Sequence, residues 1–171
     1  MKCLIIFLLF SVFLPNKSIS QNRPKFEDLF YILNKLNLGD ADIYFSSKGF
    51  KYMEATKATK SLESKIVIGT QFKYGFKDLN GTDISIYFIE RKNIINSVQY
   101  LIKDENELAS ILIDAKRHKF IFVNSVSGHD DTTVSTYSYS NSKLSIVKYY
   151  VMSKLLYLLI LERTDIKKVS S

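Results

Sequence analysis

The residues that could carry out chemistry are few and scattered. The chain has two histidines, and one of them, His129, is followed directly by Asp130 and Asp131 in the polar segment 125–133 (SVSGHDDTT). Adjacent side chains seldom converge on one ion unless a distant residue completes the site. The segment therefore predicts a turn between two strands. The alternative is a hydrolytic or metal-dependent site that uses these three residues.

The carboxylates give no stronger indication of an active site. Close pairs fall at predicted helix starts, where acidic side chains complement the helix dipole. These pairs are Glu27 with Asp28, Asp40 with Asp42, and Glu105 with Glu107. The sequence has no Gly-x-Ser-x-Gly elbow, and its six glycines stand singly rather than in a phosphate-binding loop. We therefore expect no catalytic residue, no metal and no cofactor, that is, a non-enzymatic protein.

The first twenty residues have the layout of a cleavable secretory signal peptide. Met1-Lys2 is a short positive start, and residues 4–14 (LIIFLLFSVFL) form an apolar run. Ser18 and Ser20 place small residues at positions −3 and −1 of a cut before Gln21. Because the apolar run is too short for a bilayer core of about 30 Å, it does not predict a membrane anchor. We expect an exported protein, periplasmic or extracellular, with no stable membrane span after cleavage.

The remainder, residues 21–171, is expected to form a single domain. The chain is 46% hydrophobic and 24% charged, which is typical of globular proteins and excludes collagen-like and wholly disordered classes. Cys3 is the only cysteine and lies in the signal segment, so the domain cannot form a disulfide. The net charge is +7, but only four of the 24 basic residues are arginine, the side chain that phosphate recognition favours. We therefore expect no nucleic-acid partner.

Hydrophobic spacing predicts two main helices and about eight strands. The first helix begins near Phe26 and is followed by a short helical piece at 40–47, and another helix begins near Asp104. Strands are expected at 50–53, 66–77, 83–89, 94–102, 118–123, 132–139, 143–150 and 155–161, with a polar connection at 56–65. The last strand (LLYLLIL) is apolar on both faces, which predicts a central strand with cover on each side, or a surface covered by a partner.

Two turns predict strand registers. A loop around Asn80-Gly81 with a left-handed Gly81 groups the large apolar side chains of its two strands on one face. The pairs expected there are Phe76 with Ile84, Tyr74 with Ile86 and Phe72 with Phe88. A two-residue turn at Asn141-Ser142 is expected to pair Tyr139 with Leu144 and Tyr137 with Ile146.

The order of elements restarts at residue 104. Residues 48–52 (KGFKY) correspond to residues 118–122 (HKFIF), each at the passage from a helix to a strand. We therefore predict two degenerate helix-plus-four-strand repeats, at 25–103 and 104–163, followed by a frayed tail at 164–171. Short turns join the strands, so neighbouring strands run antiparallel. The expected fold is α+β: an antiparallel meander sheet of about eight strands with the two main helices on one face.

This arrangement resembles the tandem-repeat architecture of the β-lactamase-inhibitor-protein-like proteins, and small exported bacterial proteins of that shape. The resemblance rests on the element order and on Lys48-Gly49-Phe50-Lys51-Tyr52. It implies a binding surface rather than catalysis, in which the open face of the sheet holds another protein. The chain departs from secreted inhibitors of that type because its predicted mature part has no cysteine.

Alternation along the strands assigns residues to the face away from the helices. The candidate binding residues on that face are Lys73, Lys77, Tyr87, Thr136 and Tyr149. Aromatic, hydroxyl and lysine side chains in this mixture suit a moderately polar protein interface. The same mixture also suits a plain solvated face.

The sequence thus predicts an exported, non-enzymatic module that binds a protein or peptide through its open sheet face, with a possible inhibitor or immunity role. Two alternatives stay open at this point. One is a hydrolase or metal-dependent protein built on the loop at 129–131. The other is a structural envelope component that assembles with copies of itself through the strand at 155–161.

Overall fold

The computed structural model of the chain describes residues 23–59, 67–77 and 81–164. The predicted signal segment, most of the predicted tail, residues 60–65 of the polar connection and Asn80 lie outside the described residues. Three helices and eight strands are present in the described part. They are α1 (Phe26–Lys35), α2 (Leu38–Ser47), β1 (Lys51–Thr59), β2 (Val67–Lys77), β3 (Asp83–Arg91), β4 (Ile94–Ile102), α3 (Glu105–Arg117), β5 (Ile121–Ser127), β6 (Thr133–Tyr139), β7 (Ser142–Val151) and β8 (Lys154–Arg163).

All eight strands form one antiparallel sheet in the order β1-β2-β3-β4-β8-β7-β6-β5. Two four-stranded meanders therefore meet through their last strands, and β1 and β5 are the edges. The helices pack on one side of the sheet, with α1 against β4 and β8 and α2 against β1. The predicted fold class is confirmed. The strand that is apolar on both faces, β8, is central as predicted, but the helices cover only one of its faces.

The register of β2 against β3 is confirmed: Phe76 pairs with Ile84, and the other two predicted pairs follow. The register of β6 against β7 was wrong by two residues, because Tyr139 pairs with Ser142 and Tyr137 with Leu144. The two-residue turn lies one position earlier than predicted, at Ser140-Asn141, where Ser140 adopts a left-handed conformation with φ 51°. A shift of two residues leaves every side chain on its predicted face.

The helix that precedes the first strand of each half, α2 in the first half and α3 in the second, ends with the same hydrogen-bond pattern. The N–H of Phe50 donates to the carbonyl of Phe45, and the N–H of Phe120 donates to that of Ala115, both at 3.0 Å. This is the bond that closes a helix with a left-handed residue. The left-handed residues are Gly49 (φ 85°) and Lys119 (φ 66°).

The pairing pattern of the sheet is also two-fold symmetric. From Tyr74, pairing leads through Ile86 to Tyr100, and from Tyr137 it leads through Leu144 to Leu161. The residues just before these end points, Gln99 and Ile160, pair with each other at the centre of the sheet. The two halves therefore match in topology, while the duplication of the sequence remains a prediction.

Tyrosine hydroxyls anchor the helices to the sheet by hydrogen bonds to carboxylates. Tyr157 on β8 donates to Glu105 at 2.6 Å, and Tyr74 on β2 donates to Asp42 at 2.7 Å. A third bond, from Tyr44 to Asp28, joins α2 to α1. Burial and the neighbouring carboxylates raise the pKa of Tyr44 and of Tyr74, and raise the pKa of Tyr157 to about 12.

Ionisation of these tyrosines is expected to destabilise the fold at high pH. The ordinary tyrosine pKa is 10.0, so the raised pKa of Tyr157 contributes stability that is complete below pH 10 and is lost as the pH rises through about 12. Denaturant unfolding measured between pH 8 and pH 12 should show this loss. Tyr157→Phe should reduce it, because the variant has no hydroxyl to ionise. A variant with the same pH dependence as wild type would contradict the assignment.

Candidate functional site

The face of the sheet away from the helices carries a continuous row of side chains across all eight strands. Cross-strand partners link each member to the next, and the row runs through the central pair Gln99–Ile160. From β1 to β5 its members are Glu54, Lys73, Tyr87, Gln99, Ile160, Ser145, Thr136 and Asn124. The row is charged and aromatic at the β1 end and neutral and polar at the β5 end.

The charged half of this row is held in place by contacts among its own side chains. The Lys73 ammonium lies 5.6 Å from the centre of the Tyr87 ring and 3.6 Å from the Glu54 carboxylate. A cation at this distance from an aromatic ring is attracted to its face. Lys73 is partly buried, so the lysine and the tyrosine form one ordered pair on this face.

Next to this row lies an apolar band that crosses the five strands from β4 to β5. Leu101 pairs with Leu158, which pairs with Val147, and the band continues through Val134 to Val126. The first four are partly exposed, and Val126 is 57% exposed. A band of aliphatic side chains beside a polar row has the composition of a protein-binding surface, with an apolar centre and a polar margin.

The five sequence-predicted binding residues all lie on this face, but the structure does not gather them into one cluster. Lys73, Tyr87 and Thr136 belong to the row, with Tyr87 and Thr136 four strands apart, about 19 Å at the usual strand spacing. Tyr149 pairs with Leu156 beyond the apolar band, and burial raises the pKa of its hydroxyl. Lys77 is exposed at the end of β2, 4.0 Å from Asp83.

Sequence reasoning missed a groove of about 790 Å³ on this face, along β1, β2 and β3. Gly75 forms its floor, because a Cβ there would lie 2.7 Å from the Met53 sulfur. Met53 is the extra residue of a bulge in β1, between the pairs Tyr52–Tyr74 and Glu54–Lys73. No pattern in the sequence predicted this bulge. Lys51, Lys73 and Lys77 line the groove, so its walls are predominantly basic.

The segment at 129–131 forms a tight, exposed turn between β5 and β6. Asp130 and Asp131 are left-handed, with φ 56° and 57°, and the Gly128 N–H donates to the Thr132 carbonyl at 2.7 Å. Within residues 23–59, 67–77 and 81–164, no three His, Cys, Asp or Glu side chains are grouped so that they could hold a metal ion. The geometry of the turn accounts for these residues without a catalytic role.

The protein class defined here is an α+β protein with an open, one-sidedly covered antiparallel sheet. Comparison with protein-family models, curated proteins and solved structures gave no match. None of the helices in the described part of the chain is both long and apolar enough to cross a bilayer.

Proposed function

We propose that the chain is an exported, non-enzymatic module that binds a protein or peptide partner through the open face of its sheet. The observation that carries the proposal is the band from Leu101 to Val126, which lies uncovered beside the ordered pair Lys73–Tyr87. Burial of aliphatic side chains away from water lowers the free energy by about 25 cal/mol per Å². A complex in which a partner covers the band is stabilised by this burial.

The polar row supplies the specificity of this interface. Lys73 with Glu54 and Tyr87 present charged and aromatic groups at one end, whereas Thr136 presents a hydroxyl at the other. A partner must match both ends, because a buried polar group left without a hydrogen bond costs about 1–3 kcal/mol. The resemblance to inhibitor-like tandem repeats supports the same role, and export places the partner in the periplasm or outside the cell.

The test is site-specific photo-crosslinking in the producing cells, followed by a binding measurement. A crosslinking residue placed at Tyr87 or Thr136 should give an adduct with one defined protein. The matched control at Ile43 should give none, since that side chain is 70% exposed on α2, on the opposite side of the sheet.

The purified partner is then titrated against wild type and against the triple variant Lys73→Ala/Tyr87→Ala/Tyr149→Ala. We expect the dissociation constant to rise by about 30-fold or more, the scale of a lost interface hot spot. Adducts at Ile43 in place of Tyr87, or an unchanged dissociation constant in a folded triple variant, would refute the proposal.

A further inference from the structure

The two edges of the sheet differ sharply in charge although they match in topology. β1 carries Lys51, Glu54 and Lys57, whereas β5 (IFVNSVS) has no charged residue and no proline. Both edge strands follow a helix, and both carry a bulge one residue after an aromatic side chain. Charges on an edge strand protect it from pairing with other chains. β1 is protected in this way and β5 is not.

β5 is also the most exposed apolar strand of the described chain. All seven of its residues are exposed, and Ile121, Phe122, Val123 and Val126 are each at least 55% exposed. Single exposed aliphatic side chains are ordinary, but a run of them on an edge strand marks an interaction site. Because an edge strand presents unpaired backbone N–H and C=O groups, the occupant it fits is another extended strand.

The apolar surface continues from β5 onto the helix side of the sheet. A groove of about 600 Å³ lies between α3 and β5, lined by Leu112, Ile113, Phe120, Phe122 and Tyr137 among others. Ile113 on the rim is 55% exposed. Lys116 and Lys119 are the charged residues of the lining. A strand added at β5 would place its own side chains over this groove.

The charges just beyond the two ends of β5 are opposite in sign. Lys116 and Lys119 precede the strand, and Asp130 and Asp131 follow it. All four are exposed, and none forms an ion pair with another described residue. The edge is therefore basic before the start of β5, uncharged and mainly apolar along the strand, and acidic after its end.

We propose that a second copy of this chain pairs with β5, antiparallel, to form a dimer with one continuous sheet. Antiparallel pairing brings the start of one β5 opposite the end of the other, so Lys119 of each copy meets the turn at 129–131 of its counterpart. A two-fold axis perpendicular to the sheet makes this contact twice and keeps the helices of both copies on one side. A parallel pairing would bring like charges together.

The proposed contact repeats an arrangement already present inside the chain. β4 and β8 occupy the same place in their meanders and pair antiparallel at the centre of the sheet. The contact also gives the acidic turn a role that the open face does not supply. Val126 belongs to both surfaces, but the dimer is tested by self-association and the proposed function by binding of a different protein, so each proposal can fail without the other.

Sedimentation analysis of the purified protein over a range of concentrations is the test. Wild type should show a monomer–dimer equilibrium. Ile121→Lys/Val126→Lys, at two exposed positions of β5, should raise the dimer dissociation constant by about tenfold or more, because like charges then face each other. The matched control, Thr56→Lys on the exposed edge β1, should leave the dissociation constant unchanged.

A charge exchange separates the proposed geometry from general stickiness of the edge. Lys119→Asp and Asp131→Lys should each weaken the dimer, and the double variant should restore it, because the two sites meet across the interface. Circular dichroism checks that each variant is folded. The proposal is overturned if wild type stays monomeric up to its solubility limit. This holds even if β5 then proves to pair with a strand of a different protein. A folded β5 lysine variant that still dimerises as wild type does, or a folded double variant without rescue, overturns it as well.

Discussion

Replacing Phe45 with alanine is expected to lower the free energy of unfolding by about 3–5 kcal/mol. The Phe45 side chain is 1% exposed and stacks on Tyr74 and Phe88, with ring centres 4.9 Å and 5.7 Å away. It also packs edge-on against Phe50, which follows the end of the same helix, at 5.6 Å. Removal of this ring leaves a cavity where α2, β2 and β3 meet, and the surrounding rings can close it only in part.

Chemical denaturation followed by circular dichroism measures this loss. Ile43→Ala is the matched control, since it truncates an apolar side chain of the same helix that is 70% exposed, and it should cost no more than about 0.5 kcal/mol. Equal losses in the two variants would show that Phe45 does not occupy the core position described here.

The sequence predicted the strands that bury one face more accurately than the strands at the edges. β2 and β3 alternate large apolar and polar side chains, so a shift of one residue would expose the whole apolar set and the register was determined. β1 extends to Thr59, whereas residues 56–59 were assigned to a polar connection. Its side chains up to Lys57 are exposed on both faces, so no alternation marks the strand. β5 was placed about three residues early for the same reason.

The way in which the two meanders join could not be derived from local pattern. The apolar pattern of residues 155–161 predicted a central strand, but the partner of that strand, β4, is more than fifty residues away in the sequence. That pairing is set by α1, which packs on both β4 and β8, and by the carbonyl of Leu33, which accepts a hydrogen bond at 2.9 Å from Arg163 Nε at the end of β8. Such long-range contacts leave no periodic signal in a single sequence.

The sequence allowed us to predict which side of the sheet carries the candidate site residues, but not how these residues are arranged across the strands. Alternation placed Lys73, Tyr87 and Tyr149 on the open side, where the structure has them. The row that links Tyr87 to Thr136 passes through the β4–β8 pairing, so it could not be seen before the topology was known. The charge pattern around β5 was visible in the sequence but had no meaning until that strand proved to be an edge.

Gly69→Ala is expected to lower the free energy of unfolding by about 3 kcal/mol, because β3 passes too close to β2 at this point for a side chain. A Cβ on Gly69 would lie 2.3 Å from the backbone oxygen of Glu90 and 3.0 Å from a methyl group of Ile89, so strands β2 and β3 would have to separate.

Gly39→Ala is the matched control, because the nearest atom to its added methyl group is 3.5 Å away. Alanine at this position in helix α2 should raise the free energy of unfolding by about 0.5–1 kcal/mol. Opposite signs in denaturant unfolding support the close strand approach, and a neutral Gly69→Ala would mean that the sheet is looser on this side than its pairing indicates.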